Sequence, residues 1–183
     1  REKKKISIVH MEFNLVTNSA NCFGIIESFL HNNVILYYSH IPTALISLIL
    51  GLFLFLQKRE NLAAKLFFFM TVFFALWSAF DLILWSSPDS RKTVFFWSII
   101  NLLENMVSCF VLYFSYVFLE GKDAVFRIKL FYIVLFLPFL AFLPTAHNIS
   151  GFDAILCEAK QGTLIWYFYF LEGVFFLSLI SYL

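Results

Sequence analysis

Apolar residues fill this chain in five long blocks separated by short polar connections, the first beginning at residue 35. The cleanest block, ILYYSHIPTALISLILGLFLFL at 35–56, contains no Asp, Glu, Lys or Arg. A helix of about 20 such residues covers about 30 Å of hydrocarbon, so this block is long enough to cross a bilayer. Four further blocks follow at 66–86, 94–119, 130–146 and 163–183. Lipid offers no water to satisfy exposed backbone groups, so each block predicts a helix. The ten-residue alternation of a transmembrane barrel is absent. The expected fold is therefore all-α: a polytopic helical membrane bundle of five spans, with sequential neighbours antiparallel. Residues 1–34 precede it as a leader, in which ANCFGIIESFLH at 20–31 is apolar on one side but too short to cross. Pro42, Pro138 and Pro144 are expected to kink or end helices.

Composition strengthens the membrane reading. Hydrophobic residues make up 61% of the chain and charged residues 14%, against about 45–50% and about 25% in soluble domains. The formal charge of +1 gives no reason to expect nucleic acid as a partner; the bilayer is the expected one. The sorting of charge matters more than its sum. Lys58, Arg59, Lys65, Lys122, Arg127 and Lys129 lie in the first and third connections, against Arg91, Lys92 and Lys160 in the second and fourth. Lys and Arg in short loops favour the cytoplasm, which places the leader outside. Lys3, Lys4 and Lys5 lie too far from the first span to weigh against this. The chain starts at Arg1 and stops inside an apolar run, so it reads as a fragment.

Polar residues inside the apolar blocks are the candidates for chemistry. Ser98, Asn101, Glu104, Asn105, Ser108 and Ser115 recur at helical spacing in the third span and fall within an arc of about 120°. An ionised carboxylate at mid-membrane costs about 2.5–3.5 kcal/mol on insertion scales, so Glu104 should face other helices or water. Thr71, Phe74, Ser78, Asp81 and Trp85 form a second stripe. From a rise of 1.5 Å per residue, Asp81 lies roughly 7 Å below the outer surface and Asn101 roughly 10 Å, close enough to meet. Glu104 and Glu172 fall at roughly 15 Å and 13 Å, a matched pair. These six positions, Asp81, Asn101, Glu104, Asn105, Ser108 and Glu172, are the candidate ligand or polar-core set. The alternative is interhelical hydrogen bonding that only holds the bundle together.

The remaining signals are weaker. Cys109 lies inside the third span and reads as a packing residue. Cys22 and Cys157 both fall outside by the charge-based topology, so a disulfide between them is a candidate. His10, His31, His40 and His147 lack metal-ligand spacing, so no metal is expected, and no cofactor motif or catalytic signature occurs. Asn148-Ile149-Ser150 matches a glycosylation sequon.

FFALWSAFDLILWS at 73–86, FFWSIINLLENMVSCFVLYFSYVFL at 95–119 and a fourth span closed by Leu143-Pro144 resemble the N-terminal seven-helix region of bacterial sensor histidine kinases. NISGFDAILCEAKQG at 148–162, followed by an aromatic span, is similar to the same pattern. The resemblance covers residues 35–183. It implies a sensor region in the bacterial cytoplasmic membrane, beginning outside and leading to a cytoplasmic output domain, commonly a histidine kinase. A small-molecule or lipid stimulus and a homodimer are the partners that this implies. Two rivals remain on the residues alone. One is a small transporter or proton-coupled carrier using Asp81, Glu104 and Glu172; the other is an intramembrane enzyme acting on lipid.

Overall fold

The computed structural model describes residues 34–86, 89–153 and 158–182. The leader, with Cys22 and the 20–31 segment, lies outside the described residues, as does Cys157. Five helices are present among those described: α1 Val34–Gln57, α2 Leu62–Ser86, α3 Ser90–Glu120, α4 Phe126–Phe142 and α5 Ile165–Tyr182. Between the last two sit β1 Ile149–Asp153 and β2 Glu158–Gln161, paired antiparallel. Helices α1, α2 and α3 are long and apolar enough to cross a membrane. At 1.5 Å per residue, α4 is about 25 Å long, shorter than the hydrocarbon layer, and the described part of α5 covers about 27 Å. The membrane assignment therefore stands on three helices, not five.

Local chemistry sets the helix ends. The Asn61 side chain accepts from the Ala64 N–H at 3.3 Å and caps α2. Asp89 does the same for α3, accepting from the Arg91 N–H at 2.9 Å. Gly121, at φ 67°, closes α3 in the left-handed conformation that glycine adopts without strain. Helix α4 is shifted toward the N-terminus of the expected 130–146 span. It starts at Phe126 and stops at Phe142; Pro144, two residues on, has no N–H with which to continue the helix. Pro42 and Pro138 instead lie within α1 and α4.

The helices pack in the order α1, α2, α3, α5, with α4 against α5. Ring contacts run along the seams: Phe55 stacks on Phe68 between α1 and α2, at 5.0 Å between centroids. Phe73 stacks on Phe110 between α2 and α3, at 5.2 Å. At Gly51 the first pair comes closest, since a Cβ there would lie 2.0 Å from Thr71 Oγ1. Leu112, Phe136, Leu171 and Phe175 form a buried core joining α3, α4 and α5. Helix α3 is central, and Ile100, Leu103 and Leu112 are buried beside its polar stripe. Neighbours therefore cover α3 on more than one side.

The described parts of the connection between α4 and α5, 143–153 and 158–164, are a built structure rather than a plain loop. Asn148 is buried and its Nδ2 donates to Leu143 O at 3.0 Å and Ser98 O at 3.4 Å. One side chain thus caps the end of α4 and fastens the hairpin to α3. The sequon reading of Asn148 fails here, because its amide nitrogen is enclosed and bonded. Gly162 is required at the return, since a Cβ there would meet His147 O at 2.2 Å.

Candidate functional site

The antiparallel packing of α1 on α2 brings His40 to Asp81. His40 Nε2 and Asp81 Oδ2 are 2.8 Å apart, with side chains 19% and 20% exposed. His40 Nδ1 is 2.9 Å from Ser39 Oγ, and Ser78 Oγ donates to the His40 carbonyl at 3.3 Å. Pro42, two residues on, has no N–H to give the preceding turn, which loosens α1 where this cross-link forms. A neutral imidazole donates one ring N–H and accepts at the other nitrogen; an imidazolium donates from both. Ser39 can accept or donate, so both charge states of His40 keep both partners.

Asp81 thus meets His40, not Asn101 as depth arithmetic suggested. Depth alone leaves the azimuth open, and the closer neighbour on α1 takes the carboxylate. Asn101 and Asn105 are buried on α3, with Asn105 Nδ2 donating to Asn101 O at 3.1 Å. Glu104, Ser108 and Glu172 are half-buried. Glu104 lies within charge–charge range of Glu172 on α5 and of Asp81 on α2. Helices α3 and α5, which carry Glu104 and Glu172, are packed against each other. The result is a polar layer: His40 from α1, Asp81 from α2, Glu104 from α3 and Glu172 from α5. Each titratable group of that layer sits on a different helix.

Asn105 Oδ1 is buried and has no donor among the described residues. An enclosed acceptor without a partner costs about 1–3 kcal/mol, so this side chain is an expense to the fold. No group of His, Cys, Asp and Glu suited to a metal ion occurs among the described residues. Carboxyl and imidazole groups such as these are able to exchange protons and to hydrogen-bond a polar ligand.

His40 is the member that sequence reading missed. A signal existed: in a helical hairpin folded about residues 58–61, His40 and Asp81 are nearly equidistant from the turn. No known protein family, curated protein or solved structure matches this chain.

Proposed function

We propose that this chain is the membrane-embedded sensory part of a bacterial signal-transduction protein, the input region of a sensor histidine kinase or similar receptor. In this reading five spans lie in the cytoplasmic membrane with the leader outside. A stimulus reaching the polar layer alters helix packing, and the last helix passes that change to an output domain. The observation that carries the proposal is the layer itself, in which four helices each contribute one titratable side chain. Ionisable groups within a membrane bundle are functional candidates by default. A change in the charge of any one alters its interaction with groups on other helices, which is the differential contact that a two-state bundle needs. His40 adds a ring that can donate or accept a hydrogen bond at either nitrogen.

The coding region beyond Leu183 gives the first check: a histidine kinase core there supports the reading. In membrane vesicles, autophosphorylation of that full-length protein should vary with pH. His40→Gln and Glu104→Gln, at matched membrane levels, should each flatten part of that response. Variants that behave like the parent at every pH overturn the proposal. Proton flux across the vesicle in the parent, lost in both variants, would instead identify a proton-coupled carrier.

A further inference from the structure

A second site lies away from the polar layer and does not depend on a signalling role. Helix α4 leans on α5 and stands off from α3, leaving a cleft of about 410 Å³ between α3 and α4. Small-molecule sites commonly enclose about 300–1,000 Å³. Cys109 from α3 and Ile133, Phe136 and Leu137 from α4 make its walls apolar. Ile133 and Leu137 are 58% and 54% exposed, so the cleft opens sideways, where hydrocarbon surrounds a bundle.

At one end the walls turn polar, with Tyr113 and Lys129. Lys129 Nζ donates to Asp123 Oδ2 at 2.6 Å and lies 5.4 Å from the centre of the Tyr113 ring. The Tyr113 hydroxyl donates to the other oxygen of Asp123. These contacts hold the ammonium over the mouth of the cleft. An ammonium has three N–H donors, so with Asp123 and the Tyr113 hydroxyl as partners one is left for a ligand. From Glu120 to Lys129 the chain carries Lys122, Arg127 and Lys129 against Glu120 and Asp123, with Lys122 paired to Glu120 at 3.3 Å, so this end of the cleft keeps one positive charge in excess.

An apolar slot that is open to lipid and ends in an oriented cation is complementary to an amphiphile with a negative head. We propose that the α3–α4 cleft binds an anionic phospholipid of the surrounding bilayer, with one acyl chain between the helices and the phosphate on Lys129. Basic pockets between membrane helices recognise anionic headgroups in this way, and the selectivity for headgroup comes from Lys129 while the cleft supplies chain binding.

The test is native mass spectrometry of the full chain in mild detergent. It is supplied with equal amounts of a phosphatidylglycerol and a phosphatidylcholine having the same acyl chains. The parent should retain the anionic lipid about fivefold more, as expected for one Lys contact near the membrane surface. Lys129→Gln should bring the ratio close to one, and Lys129→Arg should keep the preference. Leu137→Trp, at the exposed lip, should reduce retention of both lipids. Melting curves of each variant establish that it is folded. Equal retention of the two lipids by the parent overturns the proposal, as does an unchanged ratio in folded Lys129→Gln. A dimer that disappears in Leu137→Trp without any loss of lipid also overturns it, because a second copy of the chain would then fill the cleft.

Discussion

Asn105 and Asn148 are both buried amides, yet their energetic roles are opposite. Asn148 gives its N–H donors to Leu143 O and Ser98 O, joining three parts of the fold. Asn148→Ala should lower stability by about 1–3 kcal/mol, since it strands carbonyls at the end of α4. Asn105 carries an enclosed acceptor with no donor among the described residues. Replacing such a group by an apolar one of similar shape is close to neutral or stabilising. Asn105→Leu should therefore keep or raise the melting temperature; a marked fall would show that Oδ1 is bonded after all. Outside the spans, the Lys129 ammonium and then the Tyr113 hydroxyl hold the Asp123 carboxyl below its usual range. A lowered folded-state value means that Asp123 contributes stability above its unfolded pKa, and loses it as pH falls through the folded one. Melting measured downward from neutral pH should show an acid-dependent fall that Asp123→Asn reduces. An identical acid profile in the variant would remove Asp123 from that account.

At the scale of elements, apolar periodicity located the helices well, and it failed where tertiary contact decides. The limits of α1, α2 and α3 follow the apolar blocks, extended by polar caps such as Asn61 and Asp89 that the block pattern does not weigh. The hairpin was read as loop because its nine strand residues are mostly polar or small, and β-propensity reflects packing more than backbone preference. Among site residues, helical rise gives the depths of Glu104 and Glu172 but not their separation. The His40–Asp81 link was not, because it depends on the rotation of α1 against α2. That rotation is set where Gly51 meets Thr71, in a contact that admits no Cβ. Gly51→Ala should separate α1 from α2 and lower stability by about 1–3 kcal/mol, the usual cost of overpacking. Adding Thr71→Ala removes the hydroxyl that a Cβ would strike first, so the double variant should recover most of the loss. Thermal unfolding in detergent, followed by the reactivity of the Cys109 thiol, measures both. If the double variant is no better than the single one, the seam at Gly51 does not govern this packing.

For the whole molecule, the central question is how many helices cross the bilayer and in which direction. Three helices have the length and composition to do so, and the positions of α4 and α5 around α3 bear on the rest. Phe136, Leu171 and Phe175 share one buried core with Leu112 of α3, so α4 and α5 occupy the same layer as a helix of membrane length. Many of their outward residues are apolar and exposed, among them Phe131, Ile133, Phe170 and Phe176. A contiguous apolar surface of this kind is stable against hydrocarbon and a liability in water. Short helices can be accommodated by local thinning of the bilayer or by polar flanks reaching to its surface. In the proposed five-crossing arrangement, the bias of Lys and Arg puts the first connection in the cytoplasm. Ala124 is buried and would label poorly, whereas Glu60, Lys122, Arg91 and Ser150 are exposed. Single cysteines at those four positions, in a background without other cysteines, report on sidedness in intact cells. Arg91→Cys and Ser150→Cys should react with an impermeant thiol reagent, while Glu60→Cys and Lys122→Cys should react only after the membrane is opened. The reverse pattern would invert the topology. Labelling of Ser150→Cys on the same side as Lys122→Cys would show that α4 does not cross.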